Sequence, residues 1–120
     1  MANLLIADDD DNLRALMCRA LKGDGHSVAD ASDGASALAS FKAAGTIDIL
    51  ITDVEMPGGD GVSLAVSAAS LKPDIKVVLI SGFSDALGRA GEIKAKAVET
   101  LEKPFALEKL REIVSRLASA

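Results

Sequence analysis

Five short apolar runs, at residues 3–7, 26–30, 47–52, 75–80 and 97–101, alternate along this chain with stretches whose apolar residues repeat at helical spacing. Strands separated by helices cannot close into hairpins. Each strand must return by a crossover, which makes the sheet parallel and puts helices over its faces. The pattern therefore predicts a (βα)5 α/β domain.

The runs also differ among themselves. Leu-Leu-Ile-Ala in the first, Ile-Leu-Ile-Thr in the third and Val-Val-Leu-Ile in the fourth are nearly unbroken, as parallel strands covered on both faces should be. His-Ser-Val-Ala-Asp in the second and Ala-Val-Glu-Thr-Leu in the fifth mix in polar residues and suit sheet edges. Placing those two outermost gives the order 2-1-3-4-5 of a flavodoxin-like fold. Aromatic content is 2%, three Phe with no Trp or Tyr, so Ala, Leu, Ile and Val must fill the core. Helices laid on a sheet suit that palette better than a β-sandwich.

The helical stretches are punctuated. In the first, Leu13, Leu16, Met17, Ala20 and Leu21 share a face, and Gly23 with Gly25 closes it. The second is expected from Ser32 or Asp33 to Gly45, burying Ala37, Leu38 and Phe41. The third runs from about Asp60 to Lys72, where Pro73 stops it. The fourth, across residues 84–96, carries Gly88 and Gly91 and should be short or mobile. The last aligns Leu107, Leu110, Val114 and Leu117.

A length of 120 residues and 49% hydrophobic content suit one domain with one core, so residues 1–120 are expected to form a single unit with no output domain. Cys18 is the single cysteine, no zinc-ligand spacing occurs, and the first residues lack a basic segment followed by a long apolar one. No apolar run reaches membrane-spanning length, and a net charge of -5 disfavours nucleic acid and anionic membranes. The expectation is a soluble, cytoplasmic protein with protein partners.

Open parallel sheets place their chemistry beyond the carboxyl ends of the strands. There the first strand is followed by Asp8, Asp9, Asp10 and Asp11, the third by Asp53, the fourth by Ser81 and the fifth by Lys103 and Pro104. Strand 2 ends near Asp30, at the edge. If Asp8, Asp9 and Asp53 converge, each pair of carboxylates about 5 Å apart repels by roughly 3 kcal/mol at an effective dielectric of about 20. A cation is needed. All-oxygen ligands without His or Cys select a hard ion such as Mg2+, and Lys103 adds a second positive charge. A carboxylate so placed is a plausible nucleophile toward a phosphoryl group, with the Ser81 hydroxyl available to a phosphate oxygen. Taken singly, these residues read equally well as solvated turns or caps, and Asp10 and Asp11 are read only as a helix N-terminus.

In order and spacing, Asp8-Asp9, Asp53, Met56-Pro57-Gly58-Gly59-Asp60-Gly61, Ser81-Gly82 and Lys103-Pro104-Phe105 together resemble the bacterial response-regulator receiver domain, over the whole chain. The resemblance implies a two-component phosphoacceptor rather than an enzyme with a separate substrate. Asp53 would take a phosphoryl group from a sensor histidine kinase or a histidine phosphotransfer protein, the chain catalysing its own phosphorylation and slow dephosphorylation. It implies Mg2+ on Asp9, Asp53 and the backbone carbonyl of Glu55, with Asp8 acting mainly through water. It also implies Lys103 on the phosphate, a proline at 104 that is often cis-linked, and Ser81 swinging toward the phosphate. The new charge would then reshape a face made by the fourth helix, fifth strand and fifth helix for a downstream protein target, as a monomer or a phosphorylation-dependent dimer. One position departs from the family: Thr100 stands where many receivers carry Tyr or Phe, so the output face is expected to be read through the fourth helix, with Phe83 or Phe105 repacking. Glu55 and Phe83 resemble the positions that tune phosphate lifetime.

His26 lies at the sheet end opposite the carboxylates, which argues against a Ser-His-Asp triad, and Cys18 reads as a packing thiol. The glycines at 58, 59 and 61 match neither a P-loop nor a dinucleotide fingerprint. Four aspartates after the first strand would repel the phosphate of a flavodoxin-like nucleotide ligand, and a phosphohydrolase working through an aspartyl phosphate usually has a cap or a longer chain. A docking module that is never phosphorylated, and a phosphorelay intermediate, stay open as alternatives.

Overall fold

The computed structural model describes residues 1–120. Its elements follow the alternation in the sequence: β1 (Asn3–Ala7), α1 (Asp11–Gly23), β2 (Ser27–Ala31), α2 (Gly34–Ala43), β3 (Ile49–Asp53), α3 (Gly61–Leu71), β4 (Lys76–Ser81), α4 (Ser84–Leu87), β5 (Ala97–Glu102) and α5 (Leu107–Ser119). All strand pairs are parallel, in the order β2-β1-β3-β4-β5.

Alternation within the three central strands produces two cores, one on each face. Leu5 and Ala7 of β1, Leu50 of β3 and Val77 and Leu79 of β4 join the apolar sides of α2 and α3. Leu4 and Ile6, Ile49 and Ile51, and Val78 and Ile80 point the other way, toward Met17 and Leu21 of α1 and Leu110, Ile113, Val114 and Leu117 of α5. Both faces are covered, which is why these strands are continuously apolar.

Apart from the fourth helical segment, strand and helix bounds differ from the sequence expectation by one or two residues. β2 begins at Ser27 because the His26 ring accepts the Ala2 N–H at 3.1 Å. β3 begins only at Ile49, since the Asp48 carboxylate takes the Asn3 N–H at 2.8 Å. It extends to Asp53, paired with Ile80. Leu16 is 49% exposed; Met17 and Leu21 supply the buried face of α1 instead. The fourth helical segment is one α-helical turn followed by a 3-10 turn, Gly88–Glu92, and neither buries a residue. With glycine at 88 and 91, little packing offsets the poor helix propensity there.

Register sets the site. Ala7 lies beside Thr52, so one step further brings Asp8 level with Asp53. Ser81 closes β4, and the Lys103 N–H donates to its carbonyl at 2.8 Å.

Candidate functional site

The β1–α1 loop is held by its own aspartates and one arginine. Asp8 Oδ1 accepts the Asp10 N–H at 2.9 Å. Asp10 caps α1, accepting from the N–H groups of Asn12 and Leu13 at 3.0 and 3.1 Å. Arg14 donates to the Asp8 carbonyl at 2.8 Å and pairs with Asp30 and Asp11, each at 2.8 Å. Arg14 was invisible as a site residue in the sequence, because its partners come together only when β2 ends beside β1.

The turn after β3 is equally constrained. The Gly61 N–H donates to the Val54 carbonyl at 2.8 Å, and a Cβ at residue 61 would stand 2.0 Å from the Asp53 carbonyl oxygen. Only glycine lets α3 start against the back of Asp53. Asp60 caps that helix, accepting the Ser63 N–H at 2.8 Å. The Thr52 hydroxyl donates to the Asp53 carbonyl at 2.9 Å.

Asp8, Asp9 and Asp53 converge as the sequence suggested: each offers a carboxylate oxygen, all within 4.8 Å of one another. Asp8 and Asp53 are buried, whereas Asp9 is exposed. Lys103 Nζ donates to Asp53 Oδ2 at 3.0 Å and lies 3.6 Å from Asp8 Oδ2. One ammonium cannot serve three carboxylates. Asp8 Oδ2 and Asp53 Oδ1 remain buried without a hydrogen bond.

That imbalance appears in the acid–base behaviour. Burial pushes the Asp8 carboxyl above the ordinary 3.8, against the opposing pull of the Asp10 N–H and Lys103. Burial does the same to Asp53, aided by the charges of Asp8 and Glu55 and opposed by Lys103. Burial lowers Lys103, but its hydrogen bond to Asp53 and the field of both aspartates outweigh that and raise it. Two orphaned buried oxygens beside a third carboxylate, with no nitrogen or sulfur donor, fit a hard divalent ion of the Mg2+ type.

Ser81 is buried, but its hydroxyl is engaged elsewhere: Oγ lies 2.9 Å from each carboxylate oxygen of Glu55 and accepts the Phe83 N–H at 2.9 Å. The sequence reading marks Glu55 as a metal ligand through its carbonyl and as a position tuning phosphate lifetime, but gives no sign that its carboxylate accepts from Ser81. The Lys103–Pro104 peptide is cis. Thr100 sits exposed on β5 beside Leu79, and Phe105 packs against the α1–α5 core. Phe83 is 65% exposed. An open depression of about 510 Å³, lined in part by Asp9, Glu55, Met56 and Arg89, leads to the acidic group. His26 and Cys18 lie outside this group: His26 pairs with the Ala2 amide, and Cys18 packs against the α1–α5 core.

A five-stranded parallel sheet of this order with a lysine-braced carboxylate cluster at its carboxyl end defines a phosphoacceptor signalling fold. The chain belongs to the response regulator receiver domain family, whose profile matches residues 4–115. It is 31% identical over 120 residues to the response regulator receiver protein CpdR of Brucella abortus (strain 2308), covering 100% of this chain and 99% of that one. A response regulator receiver protein structure from Sinorhizobium medicae WSM419 superposes with a TM-score of 0.88 at 32% identity, over 99% of this chain and 95% of that one. TrrA of Thermotoga maritima, solved in complex with Mg(2+)-BeF, superposes with a TM-score of 0.83 at 30% identity, over 98% and 99%. Several further curated relatives are longer proteins, of which this chain spans 12 to 46%. The chain is thus a receiver domain of a two-component system, a class phosphorylated by histidine kinases or phosphotransfer proteins and read by downstream targets. No helix is long and apolar enough to cross a membrane.

Proposed function

We propose that Asp53 is the phosphoacceptor and that the chain itself supplies the groups for phosphorylation and slow dephosphorylation. The observation that carries this is the state of Asp53: it ends a central strand, is buried, is braced by Lys103 at 3.0 Å, and keeps one carboxylate oxygen free. In the transfer from a phosphohistidine, a carboxylate oxygen of Asp53 bonds to phosphorus as the phosphorus–nitrogen bond breaks, and the imidazole leaves with that electron pair. Lys103 holds the carboxylate before transfer and a phosphate oxygen after it. Asp9, Asp53 and the Glu55 carbonyl would hold Mg2+ directly and Asp8 through water. The ion supplies neutralising charge for attacker and phosphate.

The donor is a sensor histidine kinase or a histidine phosphotransfer protein, and the readout is docking of a protein target on the face of α4, β5 and α5. The short α4, with no buried residue, supports this as the part that responds. Thr100 leaves that face without the usual aromatic.

Incubation with acetyl phosphate tests the reading by intact mass. Wild type should gain one phosphoryl group only when Mg2+ is present, and Asp53→Ala none. A phosphoryl group on Asp53→Ala, or none on wild type, would overturn the assignment.

A further inference from the structure

A carboxylate has no proton to give, so in the Ser81–Glu55 contact the hydroxyl must be the donor. Its single proton is committed to Glu55, with Oγ 2.9 Å from both carboxylate oxygens. The lone pairs of the same Oγ take the Phe83 N–H. Phe83 in turn is the N-cap of α4: its carbonyl accepts from the N–H groups of Ala86 and Leu87 at 3.1 and 3.4 Å, and no side chain caps that helix. A continuous hydrogen-bonded chain therefore runs from the β3–α3 loop through Glu55, Ser81 and Phe83 into the first turn of α4.

We propose that the Glu55 carboxylate is a positioning residue that, in the unphosphorylated chain, withholds the Ser81 hydroxyl from Asp53 and through the Phe83 amide fixes the start of α4. The proposal rests on the reading of Asp53 as phosphoacceptor. Phosphorylation replaces a carboxylate by a group with more negative charge and three strong acceptor oxygens. The first effect repels Glu55; the second outcompetes it for the one proton of Ser81. When Oγ turns, the Phe83 amide loses or follows its acceptor, and the exposed Phe83 ring moves with it. Glu55 thus opposes phosphorylation while at rest and couples the hydroxyl's departure to the start of α4. Its backbone carbonyl, the group read as a metal ligand, is untouched by side-chain substitution.

Removing a negative charge near Asp53 would favour phosphorylation whether or not Ser81 is withheld, so the test is a double-mutant cycle. Beryllofluoride with Mg2+ is titrated against wild type, Glu55→Ala, Ser81→Ala and the double variant, following amide spectra. Glu55→Ala should lower the half-saturating concentration by about tenfold when Ser81 is present, the size of a hydrogen bond to a charged group, and by clearly less in the Ser81→Ala background. In metal-free protein without beryllofluoride, the Phe83 amide of Glu55→Ala should already shift toward its bound-state position, and Glu55→Gln, which keeps an acceptor oxygen, should shift less. Equal gains in both backgrounds, or a Phe83 amide that ignores Glu55, would refute the withholding role. A wild type that takes up no beryllofluoride would instead sink the phosphoacceptor reading itself.

Discussion

Both ends of the sheet bury charge, and they treat it in opposite ways. At the amino end, Lys76 opens β4 almost fully buried, and its ammonium donates to the carbonyls of Leu117 and Ala120 at the end of α5. That is where a helix gathers negative partial charge. Nearby, Asp48 accepts the Asn3 N–H and lies 3.7 Å from Lys72, while Arg111 is matched by Asp24 and Glu108. At the carboxyl end, Asp8 and Asp53 share one lysine and keep two oxygens without hydrogen bonds. A buried charge with partners is architecture; one left short of partners is capacity to bind. The acidic pocket is held open by Arg14, Gly61 and the helix caps, whose interactions go to the backbone or, for Arg14, also to Asp11 and Asp30, and none to the free oxygens.

The sharpest way to break this contrast is to remove one lysine from each end. Lys103→Ala should slow phosphorylation by acetyl phosphate about 100-fold, the usual consequence of losing one group that stabilises developing charge. Lys76→Met should leave that rate unchanged and lower the unfolding free energy by about 1–3 kcal/mol, because the carbonyls under α5 lose their donor. Denaturant titration and phosphorylation kinetics on both variants check the pair, and similar rate losses in the two would erase the distinction. A smaller effect sharpens it. Asp8 titrates above 3.8 in the fold, so it contributes stability that is complete below that pH and is lost as pH rises through the raised value. Metal-free Asp8→Asn should therefore match wild type in acid and exceed its stability near neutrality. Added Mg2+ should stabilise wild type more than the variant. Coincident stability curves at every pH would show that Asp8 is not strained.

Most of this molecule could be read without coordinates, for identifiable reasons. The central strands announce themselves because burial on both faces leaves no polar position, and Asp8 and Asp53 are fixed by where β1 and β3 stop, Lys103 by where the edge strand β5 stops. What escaped the sequence depends on partners far apart in the chain or on a choice among rotamers. Lys76 reads as an ordinary charged residue at a strand start until α5 is laid over it. Arg14 gains its meaning from Asp30, sixteen residues away on the neighbouring strand. Leu16 fits the apolar spacing of α1 yet faces out, since Met17 and Leu21 already fill the available surface. Ser81 ends β4, where the sequence pattern puts it, but a motif names a residue, not the acceptor its proton is resting on.

No buried side chain belongs to both cores: neighbours such as Ile6 and Ala7 fall on opposite layers. Across descendants of such a chain, the layer under α2 and α3 and the layer under α1 and α5 can therefore exchange volumes on separate clocks, each answering only to its own helices. What the two lineages of change must jointly preserve is the backbone of β1 and β3, and with it the spacing of Asp8 and Asp53.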